Sequence, residues 1–374
     1  MDSKKYRLFS LYLPQFHPLP ENDKFWGKGF TEWHNVTAAR PKFKGHHQPH
    51  LPTELGFYDL RLKEVMKQQS DLALEYGLDG FIFYHYWFNG KAVMEKPLYN
   101  YLELGNDKLP YYLCWANENW SRRWDGSEQD VLLHQDYKEE DDEKHFEFFL
   151  PFFRDERYTT INGCPVLALY KPKEIPYLKK WAENIQVLAK KNGFKGIYLV
   201  YIINLGIDGD TDIKQYGFNA GMIFQPSWKS MPSGGEKVGL QDKMGKLMHI
   251  LRVRKNLPLN YNYEVISYPK YVQADIIREK NYPFPCYYSI FPSWDNSARR
   301  KKGGGKIFRD ASPDEFKVWL KYYYNTEPYS REENFLIINA WNEWAEGNHL
   351  EPCTRWNRQY LEKVLEVVKE AENG

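Results

Sequence analysis

The sequence predicts a protein of the α/β class, a single (β/α)8 (TIM) barrel with long loops after its strands. Three observations lead to this prediction: apolar strand candidates, amphipathic segments between most of them, and a polar and aromatic cluster that directly follows the last strand. The 374 residues are within the range of such barrels with insertions. We therefore expect one domain over residues 1–374, with an insertion at roughly 229–285.

The strand candidates number eight, as a closed barrel of this type requires. They are short apolar runs, and amphipathic helix candidates alternate with most of them, which is typical of a parallel sheet. The predicted strands cover residues 7–13, 80–86, 110–115, 165–170, 197–203, 220–225, 286–291 and 335–341. The predicted helices cover residues 60–76, 141–154, 174–191, 313–324 and 356–370.

The last strand runs into two carboxylates, Glu343 and Glu346. Along a continued strand they would point to opposite faces, whereas in a helical turn residues three apart share one face, with Cβ atoms roughly 5 to 6 Å apart. That spacing is compatible with the roughly 5 to 5.5 Å between the carboxyl groups of retaining glycosidases and shorter than the roughly 6.5 to 9.5 Å of inverting ones. Exposed charges on an ordinary loop are the alternative. We predict a catalytic pair, with Asn342 and Trp344 as substrate-binding neighbours.

A loop of about forty residues without clear periodicity follows the first strand. Loops of this length are typically functional or disordered, and the Gly and Trp content here favours an ordered loop that faces a ligand. From it we predict substrate contacts by Gln15, His17 and Trp33. The run HHQPH at 46–50 lacks helical context and a nearby carboxylate, so we expect hydrogen-bonded histidines and no metal site.

Aromatic and polar residues also end the second and third strands. In YHYWF, residues 84–88, side chains alternate between two faces, so only part of the set can face the barrel mouth. A lone histidine there is more often a packed core residue than a catalyst. WANENW, residues 115–120, favours recognition of sugar hydroxyls, or support of the catalytic pair, over surface charge. The predicted substrate-binding residues of these runs are Tyr84, His85, Trp87, Trp115, Asn117, Glu118 and Trp120.

The seventh strand is followed by Trp294 and Asp295, which we also predict to bind substrate, and then by the basic run ARRKKGGG at 298–305. This run matches no nucleotide-binding spacing, so a solvated flexible loop is the simpler interpretation. Loops after strands seven and eight of a barrel often bind phosphate, so an anionic group on the substrate is the alternative.

The amino-acid composition limits the classes of partner that this protein could bind. With 51 basic and 50 acidic residues the net charge is +1, which provides no field to steer nucleic acid. No run of about 18 apolar residues predicts a membrane span. The four cysteines are widely spaced and are expected to be reduced. The apolar run near the start of the chain is too short for the hydrophobic region of a signal peptide, so we expect a cytoplasmic protein. An aromatic content of 17% favours a carbohydrate site.

Five motifs, in order along nearly the whole chain, resemble a known family. NEWAEG at 342–347, followed by EP at 351–352, is similar to the NEWxEG…EP signature of the endo-α-mannosidases of glycoside hydrolase family 99 and of their WbsX-like relatives. The WbsX-like proteins, usually named glycosyltransferases or lipopolysaccharide biosynthesis proteins, are the closer match. The other four motifs are LYLPQFHPLPENDKFWGKGFTEWHNV, GFIFYHYWF, WANENW and PSWDN.

The resemblance implies a mechanism. In the endo-α-mannosidases the first glutamate of the motif acts on the sugar 2-hydroxyl to give a 1,2-anhydro sugar, and the second is general acid and then base. By motif position these roles pass to Glu343 and Glu346. We therefore expect Glu346 to have a raised pKa and Glu343 to be ionised and held by donors such as Asn342. Ala345 stands where endo-α-mannosidases often carry His, so mannose is not implied as the sugar.

The function we expect is a retaining, endo-acting glycoside hydrolase without a cofactor, acting on a bacterial surface polysaccharide or its precursor. A glycosyltransferase is the first alternative, although the sequence has no GxGxxG-like fingerprint and only a weak DxD candidate, the turn at 208–210. A non-catalytic carbohydrate-binding barrel is the second. A binding protein of this kind would need the aromatic residues but not both glutamates.

Overall fold

The computed structural model describes residues 5–105, 107–121, 131–203, 212–232, 236–238, 263–300 and 304–373. Its centre is a closed barrel of eight parallel strands, in which each strand pairs with the next one along the chain and the last pairs with the first. The predicted fold class is confirmed. The barrel strands are β1 (Arg7–Tyr12), β2 (Gly80–Phe88), β3 (Tyr111–Trp115), β4 (Cys164–Leu169), β5 (Tyr198–Ile203), β6 (Ala220–Ile223), β7 (Cys286–Ile290) and β8 (Phe335–Ile338).

Helices surround the barrel. Those at the five predicted places are present. The helix Pro313–Asn325 shows why such a segment starts where it does: Ser312 caps it by accepting a hydrogen bond from the Glu315 amide, and Pro313 takes the first position. The described helices are α1 (Pro20–Trp26), α2 (Glu32–Ala38), α3 (Lys63–Glu75), α4 (Lys96–Leu102), α5 (Asp142–Phe153), α6 (Leu178–Lys191), α7 (Tyr268–Ile277), α8 (Pro313–Asn325) and α9 (Gln359–Glu372).

The long loop after β1 is more regular than its sequence indicates. It contains α1 and α2, both too short to show an amphipathic period. The N–H of Thr31 donates to Nδ1 of His34 at the start of α2, a local contact that fixes the first turn. Helix α2 matters below because it carries Glu32 and Trp33.

Large aromatic side chains fill the barrel interior at the end opposite the strands' carboxyl ends. The ring of Phe9 packs 4.8 Å from Phe335 and 5.2 Å from Tyr112, measured between ring centroids. Gly80 is paired with Phe9 across β1 and β2, and a Cβ there would lie 2.3 Å from the Phe9 ring. Glycine is therefore required for this ring to fit.

The stretch at 229–285 contains part of a second, three-stranded sheet as well as a barrel helix. The sheet consists of Glu236–Val238, Tyr263–Ser267 and Lys306–Arg309, and α7 follows its middle strand. The Gly-rich turn at 233–235 and the DxD candidate at 208–210 lie outside the described residues. Across the described ranges no helix has the length and apolar character needed to span a bilayer. All four cysteines are free, as expected.

Candidate active site

A cavity of about 420 Å³ opens where the carboxyl ends of the strands meet. Residues at the ends of β1, β2, β3, β4, β6, β7 and β8, or in the loops after them, line it. Flat apolar rings with polar groups between them are suited to the C–H faces and hydroxyls of a sugar. The aromatic lining residues are Tyr84, Tyr86, Tyr170, Phe224, Trp228 and Trp294. The polar and charged ones are Gln15, Glu118, Asn296, Arg299, Arg300, Lys306, Asn339, Glu343 and Glu346.

The chain turns sharply after β8, and this turn places Glu343 and Glu346 together. A two-residue strand, Asn342–Glu343, leads into a single 3₁₀ turn, Trp344–Glu346. Glu343 lies just before this turn and Glu346 is its last residue, and both line the cavity. Gly347 ends the turn in the left-handed conformation, with φ 57°, where a Cβ would also press on Asp295.

A single guanidinium group joins the two carboxyls. Nη2 of Arg299 lies 3.0 Å from Oε2 of Glu343, and Nη1 lies 2.7 Å from Oε1 of Glu346. The Nε of the same side chain lies 3.1 Å from Oε2 of Glu32, on α2. The pair is thus held at the width of one guanidinium group, which is compatible with the short separation in retaining glycosidases.

Burial disfavours ionisation of both carboxyls. Desolvation raises the pKa of Glu343 to about 8, and the charges of Glu346 and Glu32 add to this against the opposing effect of Arg299. Desolvation also raises the pKa of Glu346, again against Arg299. Three carboxylates around one guanidinium group would carry a net charge of −2 if all were ionised. The arrangement therefore favours a proton within the cluster near neutral pH.

These contacts correct two expectations about the pair. We expected Glu346 alone to have a raised pKa, and burial raises the pKa of both carboxyls. We also expected Asn342 to hold Glu343. Instead the Asn342 amide binds the backbone of Leu13, with its Oδ1 2.7 Å from the Leu13 N and its Nδ2 3.0 Å from the Leu13 O, so Asn342 fastens the turn to the end of β1.

The turn rests on a buried carboxylate, Glu351. The indole Nε1 of Trp344 donates to Oε2 of Glu351 at 2.6 Å, and Tyr58 and Gln69 donate to the same carboxyl group. The Trp344 ring also stacks on His349, with centroids 3.8 Å apart. Trp344 is fully buried under the turn and positions the glutamates on either side of it, rather than lining the cavity.

Four of the predicted substrate-binding residues line the cavity with the pair. Gln15 donates to the hydroxyl of Tyr86 at 3.1 Å, and Glu118 pairs with Lys171 at 2.6 Å. Tyr84 and Tyr86 lie on the same face of β2, as the alternation predicts, and that face lines the cavity. The four are Gln15, Tyr84, Glu118 and Trp294.

Three other predicted residues lie on the helix-facing side of the barrel wall, which corrects their expected position. Nε2 of His85 is 2.8 Å from Nε2 of His145 on α5, and the Trp87 ring stacks on His145 with centroids 4.6 Å apart. Trp115, paired with His85 across β2 and β3, also contacts His145. Alternation along the strands gives His85 and Trp87 the opposite face from Tyr84.

The remaining predicted residues are packed into the loops that shape the cavity. The Trp33 indole donates to the Tyr58 carbonyl oxygen, and Trp120 packs with Leu19 and Phe88. Asn117 binds the backbone of Lys171 through both ends of its amide. His17 is buried, and desolvation lowers its pKa to about 4. Asp295 accepts hydrogen bonds from Gln48 and His46, each at 2.6 Å, so His46 is hydrogen-bonded as expected of that run.

Sequence reasoning missed Arg299 and Glu32. The run at 298–305 was expected to be a solvated loop or a phosphate site, yet Arg299 is only 7% exposed and Glu32 only 1%. Lys301 and Lys302 of that run lie outside the described residues. Glu32 lies in FTEW, residues 30–33, which is part of the longest of the five motifs that resemble the family. That resemblance was the sequence signal that could have identified Glu32.

Two solved structures share the fold. The endo-α-mannosidase of glycoside hydrolase family 99 from Bacteroides thetaiotaomicron, solved in complex with bis-tris-propane, superposes with a TM-score of 0.57 over 98% of both chains at 11% identity. A glycoside hydrolase-like protein superposes with a TM-score of 0.60, over 97% of this chain and 94% of the other, also at 11% identity.

Sequence relatives cover most of the chain. Two proteins from Xanthomonas campestris pv. campestris, each named Uncharacterized protein WxcX, are 36% identical over 366 residues. The alignment covers 97% of this chain but 50% of each relative, so the chain spans about half the length of these relatives. The sequence profile named Glycosyltransferase WbsX matches residues 8–364. The chain therefore belongs to the Glycosyltransferase WbsX family.

Proposed function

We propose that this protein is a retaining, endo-acting glycoside hydrolase whose substrate is a bacterial surface polysaccharide or a precursor of one. One observation carries the proposal: two glutamates three residues apart share one buried guanidinium group on the floor of an aromatic-lined cavity. A family and a fold associated with glycans agree with it. The surface polysaccharide itself follows from the resemblance to the WbsX-like proteins.

The two carboxyls take complementary roles in the proposed reaction. Glu343 accepts the proton of the sugar 2-hydroxyl while that oxygen attacks C1, and Glu346 gives a proton to the departing glycosidic oxygen. A 1,2-anhydro sugar results. Glu346 then removes a proton from water, the water oxygen attacks C1 while the C1–O2 bond breaks, and Glu343 returns the proton to O2. Two inversions at C1 retain the configuration.

The charges of the cluster support a pair that shares one proton, and exposure to the cavity assigns the two roles. The first step needs one protonated and one ionised carboxyl, and three carboxylates around Arg299 favour retention of one proton. Of the pair, the Glu346 side chain is the more exposed to the cavity, at 20% against 10% for Glu343. Contact with both a sugar oxygen and an incoming water favours Glu346 as the acid and base.

Endo action is supported by the edge of the cavity. Trp228 lines it and yet is 48% exposed, so the ring can receive a sugar unit that extends beyond the reacting one. Lys306 covers one face of this ring, with its Nζ 3.8 Å from the centroid, and pairs with Glu264, so we expect the sugar on the other face.

A glycosyltransferase is the second candidate, since that is the name of the family. In this reaction a carboxylate of the same pair would take the proton from an acceptor hydroxyl, and a nucleotide sugar would supply the glycosyl group. A nucleotide sugar that raises the melting temperature would favour this candidate.

Product analysis on a panel of bacterial surface polysaccharides, without added nucleotide sugar, tests the proposal. Wild type is compared with Glu346→Gln and with Glu54→Gln, a matched control that removes a surface carboxylate paired with Arg358. We expect oligosaccharides from wild type and the control, and at least about 100-fold less from Glu346→Gln. Transfer that occurs only with a nucleotide sugar would refute hydrolysis. Sugar binding without turnover, unchanged in Glu343→Gln and Glu346→Gln, would indicate a binding protein.

A further inference from the structure

Glu32 belongs to the charged cluster but does not line the cavity. It lies on α2 and is 1% exposed. Its Oε2 is 3.1 Å from Nε of Arg299, while its Oε1 is buried with no hydrogen-bond partner among the residues described. A buried carboxylate with one oxygen unsatisfied is costly to the fold. A contribution to stability therefore does not explain why a glutamate occupies this position.

We propose that Glu32 is a positioning residue that never touches the sugar and that keeps one proton on the Glu343–Glu346 pair through their shared guanidinium group. The inference rests on the proposed function. If all the carboxyls were ionised, three negative charges would face one positive charge with Glu32 present, and two would face one without it. The extra negative charge disfavours simultaneous ionisation of both members of the pair, because like charges in a buried site repel strongly.

The same side chain also sets the direction of Arg299. The Nε of Arg299 contacts Glu32. The two terminal nitrogens of Arg299 are therefore left to face Glu343 and Glu346, one each. A planar guanidinium group held at its inner edge presents its outer nitrogens in a fixed fork. Glu32 thus orients the group that spaces the pair.

Other titratable and charged groups around the pair come from different elements. Arg300 follows Arg299 and lowers the pKa of Glu346, so it opposes Glu32. Each of these groups is unchanged in a Glu32 variant, so a difference between that variant and wild type reports on Glu32. The groups that line the cavity are Arg300, Tyr84, Tyr86, Glu118, Tyr170 and Lys306.

A pH titration of the carboxyl groups by NMR, on protein labelled with ¹³C-glutamate and without substrate, tests the proposal. The pair's signals are assigned from their loss in Glu343→Gln and Glu346→Gln. In Glu32→Gln we expect the upper apparent pKa of the pair to fall by roughly 1 unit. In Glu32→Asp, which keeps the charge, this pKa should stay close to that of wild type. Glu54→Gln is the control. Glu32→Met, neutral and of similar length, is the second neutral variant should Gln prevent folding.

An unchanged titration in the neutral variants would overturn the proposal. A fall of the same size in Glu32→Asp would also overturn it, because packing rather than charge would then be responsible. The readout needs no turnover, so a lack of hydrolysis would refute the proposed function and leave the titration result standing. Where hydrolysis is measured, the alkaline limb of kcat/KM should move down with the titration in Glu32→Gln.

Discussion

Glu351, the buried carboxylate beneath the turn that carries Glu343 and Glu346, should make stability depend on pH. It is 2% exposed and accepts hydrogen bonds from Tyr58 at 2.8 Å and from Gln69 and Trp344 at 2.6 Å, none of which is a cation. Burial raises its pKa from 4.5 to about 7. The folded state therefore holds this proton to higher pH than the unfolded state does.

The size of the effect follows from that difference. Glu351 therefore contributes to the free energy of unfolding in full below a pH of about 4.5. This contribution is lost as the pH rises through about 7, because the carboxyl ionises more easily in the unfolded chain. The 2.5 pH units between 4.5 and 7, at 1.36 kcal/mol each, correspond to about 3 kcal/mol. Glu351→Gln should remove this contribution. Its amide would also meet the donor of Gln69, which adds a cost that is the same at every pH.

Urea unfolding at a series of pH values from about 4.5 to 8 measures this directly. Between these limits the free energy of unfolding of Glu351→Gln should fall by about 3 kcal/mol less than that of wild type. Glu343 titrates in the same window in both proteins and cancels in the comparison. Parallel curves for Glu351→Gln and wild type would refute the reasoning, and Glu54→Gln should follow wild type.

Three further predictions concern the cluster, the cavity edge and the barrel interior. Arg299→Met leaves three buried carboxyl groups without a cation, so urea unfolding at pH 8 should show a loss of about 3 to 5 kcal/mol that is smaller in acid, where fewer buried negative charges lack a partner. Trp228→Ala removes the exposed ring, so steady-state kinetics should show KM for long oligosaccharides rising roughly fivefold with little change in kcat. Gly80→Ala drives a Cβ to 2.3 Å from the Phe9 ring and 2.7 Å from the Pro110 carbonyl oxygen, so denaturation should show a loss of about 1 to 3 kcal/mol, partly relieved by Phe9→Leu.

The barrel was predictable because its strands are apolar on both faces and end in polar clusters, a pattern that is local in the sequence. Among the strands the least accurate boundary was the end of β8, which lies at Ile338 rather than at residue 341. There the chain leaves the ladder to reach β1: the Trp341 N–H donates to the Leu11 carbonyl oxygen, and Asn342 binds Leu13. Such contacts join distant parts of the chain and leave no periodic signal.

The cavity was partly predictable, for a similar reason. Alternation along β2 correctly separated Tyr84 from His85, and the same parity places Trp87 with His85. The position of Trp115 required the register between β2 and β3, which one sequence does not contain. Arg299 was beyond prediction. An arginine in a basic, Gly-rich run is usually solvated, and this one is buried because carboxylates from two distant segments converge on it.

The anomeric configuration of the first product tests the central claim most directly. Wild type is mixed with a polysaccharide that it cleaves, and NMR spectra are recorded before the free sugar can mutarotate. Two successive displacements at C1, assisted by Glu343 and Glu346, predict a first product with the configuration of the bond that was cleaved, and at least about 100-fold less product from Glu346→Gln. An inverted first product, or one that forms only when a nucleotide sugar is present, would contradict the retaining mechanism.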